Sequence, residues 1–297
     1  ARYRIPNVLS SWRTGGSLNT GRNKPAGFGL QSDSMCAGGG DSGNNPLDIS
    51  EVYNGTAWTE VNDLNTGRAF LAGAGADTSY GLAFGGDTPT KVANNEQYNG
   101  SSWTELGDLN TARNTLAGAG TYTAAIATGG YTTAKTGVNE TWNGSSWTEV
   151  GDLNSARLSI TGAGQGTTTA ALVFGGSEHP SPITAKTEQW NGSAWTEVAD
   201  LNDNRSEIAG SGNYTAALAA GGDNPGHTAN TEDWNGSTWT EINNLNTARQ
   251  EIVGSGSNSL SLAFAGNNGS FVTVSEEFSA NVPVGAWSTG GSLNTAR

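Results

Sequence analysis

The stretch WNGSSWTEVGDLNSAR, residues 142–157, recurs with small changes along the whole chain. Its tryptophan reappears at Trp12, Trp58, Trp103, Trp195, Trp239 and Trp287 as well as Trp147. Each is followed ten residues later by an arginine: Arg22, Arg68, Arg113, Arg157, Arg205, Arg249 and Arg297. The spacing from one tryptophan to the next runs from 44 to 48 residues. A period of that length assigns the fold before any local element is considered.

Each period has the same internal order: a small-residue run such as TLAGAG, a second run such as TAAIATGG, a variable stretch, a segment such as VNETW, then Asn-Gly and SSWTEV. These runs have strand length, are punctuated by Gly, Asn and Asp, and carry no helical periodicity. Four strands in about 45 residues make one propeller blade, since such a sheet cannot cover both faces alone. The expected fold is therefore all-β: a six-bladed β-propeller with four antiparallel strands per blade. The units run approximately 23–68, 69–113, 114–157, 158–205, 206–249 and 250–297, in one domain spanning 12–297. Residues 1–11 fall outside the repeat, and ARYRIP reads as the cut edge of a longer protein.

Six sets of the first three strands stand against seven Trp-bearing fourth strands. The two outermost, WRTGGSLNTGR (12–22) and WSTGGSLNTAR (287–297), match each other better than they match the rest. One of them is surplus; we count 12–22 as the extra terminal strand, though either copy could close the ring. A spare strand edge is a template for pairing, which makes homo-oligomer formation through it an expectation.

The pairs Asn54–Gly55, Asn99–Gly100, Asn143–Gly144, Asn191–Gly192 and Asn235–Gly236 read as two-residue type I′ turns between third and fourth strands, with their glycosylation sequons incidental. The double glycines Gly85–Gly86, Gly129–Gly130, Gly175–Gly176 and Gly221–Gly222 are each followed by an aromatic (Tyr98, Trp142, Trp190, Trp234), a Trp and an Arg. This order resembles the kelch repeat of kelch and galactose-oxidase-like propellers, over nearly the whole chain. The last unit departs from it with Ala265–Gly266. The Gly, Ala, Ser, Thr and Asn richness of the repeats is also similar in style to repeat proteins of phage virions and tail fibres, marine phages in particular.

The chain of 297 residues has a net charge of −13 and a pI near 4.4. Such a balance repels phosphate backbones, so no nucleic-acid partner is expected, and the lack of a long apolar segment gives no expectation of membrane insertion. One cysteine, Cys36, and two histidines, His179 and His227, cannot build a Cys/His zinc cage. The copper site that the galactose-oxidase resemblance would imply also needs a cysteine beside a tyrosine, and Cys36 has no tyrosine close in sequence.

Residues that repeat in every unit read as scaffold. Arg22, Arg68, Arg113, Arg157, Arg205 and Arg249 are expected to form structural bidentate ion pairs between blades with Glu51, Glu96, Glu140, Glu188, Glu232 and Glu276, which precede each aromatic by two residues. Paired aromatics such as Trp142 with Trp147 are expected to fill the wedges between sheets. Function should sit where the repeat breaks, in the loops from second to third strand, which are expected on the same face as the LNTAR turns. The candidate binding residues there are Asp41, Asp87, Tyr131, Glu178, His179, Asp223, His227, Asn267 and Phe271. Their carboxylates, amides and aromatics suit a glycan or a protein partner, other virion proteins included. No cofactor is required, and calcium is the one ion the oxygen-rich loops suit. The expected role is a non-enzymatic binding or structural module at an extracellular or virion surface. The alternative is a secreted carbohydrate-active enzyme of glycoside-hydrolase type, for which a carboxylate pair facing one pocket would be needed.

Overall fold

The computed structural model describes residues 8–43, 45–178 and 183–283. These residues form a six-bladed β-propeller: twenty-four strands in six sheets of four, every pairing antiparallel. Blade one comprises Ala26–Leu30, Asp33–Ala37, Ser50–Tyr53 and Trp58–Val61, and the next four blades repeat that order. The first strands touch their neighbours in a closed circle around the axis.

Burial along the strands follows their distance from the axis. Second strands such as Gly81–Phe84 and Ala171–Phe174 are buried at every position, because sheets cover them on both sides. In blades one to five the outermost strand keeps only its tryptophan buried, with Thr and Glu exposed. The repeated acids Glu60, Glu105, Glu149, Glu197 and Glu241 lie on these outer edges, where charge discourages edge-to-edge pairing. The paired aromatics fill the sheet-to-sheet wedges: Trp142 and Trp147 lie 5.5 Å apart and Trp190 and Trp195 5.4 Å apart, all buried.

Six inner strands can converge only where side chains are missing. A Cβ on Gly118 would stand 2.6 Å from the Gly73 carbonyl oxygen, and one on Gly210 would stand 2.4 Å from that of Gly162. One glycine at this position in each blade brings the backbones into contact and narrows the channel.

The N-terminal strand Val8–Thr14 occupies the fourth place of blade six, beside Ser275–Pro283, with Trp12 opposite Phe278. The ring is thus closed by a strand that takes in residues 8–11, expected outside the repeat, together with the start of the segment 12–22, which corrects the reading of that segment as the extra one. Its twin, 287–297, lies outside the described residues. Arg13 explains the choice physically: its guanidinium pairs with Glu277, whose other oxygen accepts a 2.6 Å bond from the Tyr53 hydroxyl of blade one. The C-terminal twin carries Ser288 where the N-terminal one has Arg13, and a serine could not neutralise a carboxylate that is 95% buried.

The Asn-Gly connections also differ from expectation. Trp142 pairs with Trp147, so the loop holds four residues, 143–146. Gly144 takes a left-handed φ of 95° while no asparagine of these loops does. Asn143 instead accepts hydrogen bonds through Oδ1 from the backbone N–H groups of Ser145 and Ser146. Asparagine is there to cap the turn and glycine to bend it.

Cys36 is fully buried in the wedge between blades one and six, and desolvation pushes its thiol up to about 11. Unfolded, the thiol ionises near 9.0; the folded chain therefore binds one more proton between those values. Stability from this group is complete below about pH 9 and falls as pH rises towards 11. Thiol-reactive dye at pH 8 should label the native protein no faster than it unfolds. Removal of residues 1–16 should uncover the blade-six edge, lowering Tm by about 10 °C or more and broadening the transition; differential scanning calorimetry reads both.

Candidate functional site

The repeated arginines and glutamates are the most buried charges in the described structure. Arg157 donates from one terminal nitrogen to Glu188 at 2.8 Å and from the other to the carbonyls of Gly175 and Lys186, both at 2.8 Å. Only one carboxylate oxygen faces the arginine. The other accepts from the backbone N–H and side-chain amide of Asn154 at 2.9 and 2.8 Å, and that amide also donates to the Trp195 carbonyl. The pattern recurs in Arg22–Glu51 at 2.5 Å, Arg68–Glu96 at 3.0 Å, Arg205–Glu232 at 2.6 Å, Arg249–Glu276 at 2.5 Å, and Arg113–Glu140. The pairs are thus three-part clasps in place of bidentate forks. Each ties the LNxxR linker leaving one blade to the third strand of the next. Burial presses the guanidinium pKa down at Arg68, Arg113, Arg157, Arg205 and Arg249, and the facing carboxylate opposes it.

The clasps position the loop face. Directly after each arginine the chain bridges to the start of a second-to-third-strand loop, as Ala69 does to Asp87 and Asn114 to Tyr131. Linkers and variable loops therefore share one end of the channel.

Three of the nine candidate residues use a side-chain oxygen to cap their own turns. Asp41 accepts from Gly43 N–H, Asn45 N–H and the Asn45 amide, chiefly the last of which lowers its carboxyl pKa. Asp223 accepts from Gly226 and Asn267 from Gly269. Asp87 accepts from the Asn114 amide at 2.6 Å. His227 is exposed and Phe271 half-buried, on blades five and six. His179 lies outside the described residues.

Tyr131 and Glu178 do come together. With Thr133, Ala134, Lys135, Ser155 and Ala156 they line a groove of about 490 Å³ between the loops of blades three and four. The Lys91 ammonium lies 4.9 Å from the Tyr131 ring centroid. Lys135 donates to Ser177 Oγ at 3.0 Å and to the Glu178 carbonyl, and desolvation lowers its pKa. Glu178 itself pairs with Lys186 at 2.9 Å. The lysines Lys91 and Lys135 were absent from the candidate residues; their signal was that the chain has only four lysines and three of them, Lys91, Lys135 and Lys186, lie in the variable loops of successive blades.

Sequence reasoning also missed the rim of the channel. Lys24, Phe70, Thr115, Ser159, Glu207 and Glu251, each two residues after a clasp arginine, line a single cavity of about 120 Å³ at the loop face. The signal was variation beside invariance: these six residues are all different in type except for the two glutamates, while every clasp arginine is followed five residues on by glycine.

Among the described residues no three His, Cys, Asp or Glu side chains converge to hold a metal ion; the carboxylates Asp41 and Asp223, on which calcium would rely, point into their own turns. No protein-family model and no curated protein matches this chain.

Arg157→Ala should cost about 3–5 kcal/mol, since it strands the buried Glu188 and two carbonyls. Urea unfolding measures it. A double replacement of Arg157 and Glu188 by apolar residues should not restore stability, because the Asn154 N–H and the carbonyls of Gly175 and Lys186 would still lack partners.

Proposed function

We propose that this propeller is a non-enzymatic binding module that recognises a glycan through the groove between the loops of blades three and four. The observation that carries the reading is the convergence there of an aromatic ring, a lysine, a carboxylate and a hydroxyl, from Tyr131, Lys135, Glu178 and Ser155, with the Lys91 ammonium against the Tyr131 ring beside them. An aromatic face stacks on a sugar ring's C–H surface, while the lysines donate and the carboxylate accepts hydrogen bonds. Lysines on an otherwise acidic molecule also favour a glycan that carries acidic groups. The kelch-like repeat order and the virion-like composition support placing such a module on a particle or cell surface, where several copies would multiply a weak contact.

A glycan array followed by calorimetry tests this. We expect millimolar to micromolar binding of acidic or neutral oligosaccharides, weakened about tenfold or more, ~1.4 kcal/mol, by Tyr131→Ala or Lys135→Ala with unchanged Tm. Binding that survives both substitutions would move the site elsewhere, and an empty array would end the glycan reading.

A further inference from the structure

We infer that the loop-face mouth of the central channel binds a small alkylammonium ligand, whose charged head takes the place held by the side chain of Lys24. The inference is independent of the groove between blades three and four.

The first argument is conformational. All six rim residues have left-handed φ, from 43° at Lys24 to 59° at Glu207. At other repeated left-handed positions the chain uses glycine almost throughout; at the first residue of the glycine pair it does so in five blades, with Ala265 in the sixth. At the rim it never does, although a non-glycine residue there costs about 1 kcal/mol or more each. A blade-to-blade ladder of backbone bonds accounts for the conformation: Lys24 N–H donates to Glu251 O, Phe70 to Lys24, Thr115 to Phe70, Ser159 to Thr115 and Glu207 to Ser159. That ladder uses no side chains, so it does not explain why side chains were retained.

The second argument is asymmetry. Groups needed to hold a propeller together repeat in every blade, as the clasps do. The rim residues do not repeat. Lys24 reaches across the mouth from blade one to Glu207 of blade five at 2.5 Å and approaches Glu251 of blade six at 3.8 Å. Its ammonium also lies 5.0 Å from the ring centroid of Phe70, in blade two. Two carboxylates and an aromatic face around one ammonium make a cation cage.

The third argument is what surrounds the cage. Glu251 is held in place by the amides of Asn23 at 3.1 Å and Asn267 at 3.5 Å. The hydroxyl of Thr115 already donates to the Asn114 carbonyl at 2.8 Å, leaving it an acceptor. Below the rim the channel wall is apolar, from Leu71, Leu116, Ile160, Ile208 and Ile252. An acceptor-rich, aromatic rim over an apolar throat matches an amine head on a short hydrocarbon tail. The side chains of Lys24 and Glu207 keep 16% and 15% of their exposure, so the cage opens to solvent and its occupant can exchange.

The probe is n-butylammonium, with n-butanol as the uncharged control. In the wild type, amide NMR shifts should saturate at Phe70, Glu207 and Glu251 with n-butylammonium in the millimolar range and stay unmoved by n-butanol. Glu207→Gln should abolish them. Lys24→Ala should unbalance the two carboxylates, lower Tm, and bind the amine about tenfold more tightly, so that the amine restores Tm and the alcohol does not. If Lys24→Ala fails to fold, Lys24→Gln serves the same comparison. Equal responses to amine and alcohol, or binding confined to the Lys24 variants, would overturn the proposal, the latter by showing Lys24 to be a permanent structural plug.

Discussion

The structure depends on a buried glutamate that is given two different partners. In each blade one carboxylate oxygen receives an arginine and the other receives an asparagine N–H and side-chain amide, as at Glu188 with Arg157 and Asn154. Burying a charge is costly unless it is both paired and fully hydrogen-bonded. The clasp meets both conditions, and it does so with residues from the linker that leaves the preceding blade. Blade-to-blade connection and charge compensation are thus one event, and no blade can satisfy its own glutamate alone.

That dependence propagates around the ring and has to end somewhere. It ends at blade six, where the N-terminal strand supplies the missing edge and its linker supplies Asn19 and Arg22 to Glu51 of blade one. Because the clasp of blade one is built from the strand that completes blade six, the ring closes twice over. The glycines at the channel wall permit the approach of the inner strands, and the rim ladder above them links blade to blade through backbone alone. The clasps hold the scaffold by repetition; the rim and loops are where that scaffold carries dissimilar side chains, such as Lys24 against Glu207 or Tyr131 against Glu178.

Much of this was legible in the residues. The interval between tryptophans implied six sheets of four strands, and the recurrence in every unit of one arginine and one glutamate, each at a fixed offset from a neighbouring aromatic, implied a shared ion pair. The role of Asn154 was not legible, because a neutral amide in a linker reads as a turn residue and only folding makes it a third partner of Glu188. Local signals misled where tertiary pairing overrode them: Asn143–Gly144 suggests a two-residue turn, but the pairing of Trp142 with Trp147 sets a four-residue loop. Loop carboxylates such as Asp41 and Asp223 resembled ligand groups until the backbone N–H groups of their own turns proved to be their partners.

Sequence alone determined the fold class, the blade number and the scaffold residues, because periodic chemistry has one economical packing: each unit buries its faces against the next. Tertiary structure alone decided which terminal strand closes the ring, since Arg13 finds Glu277 only across 264 residues. It alone gathered Lys24, Phe70, Glu207 and Glu251 at one mouth from four different blades. Residues that repeat announce themselves along the chain, whereas a site assembled from unlike residues in separate blades exists only once the circle is complete.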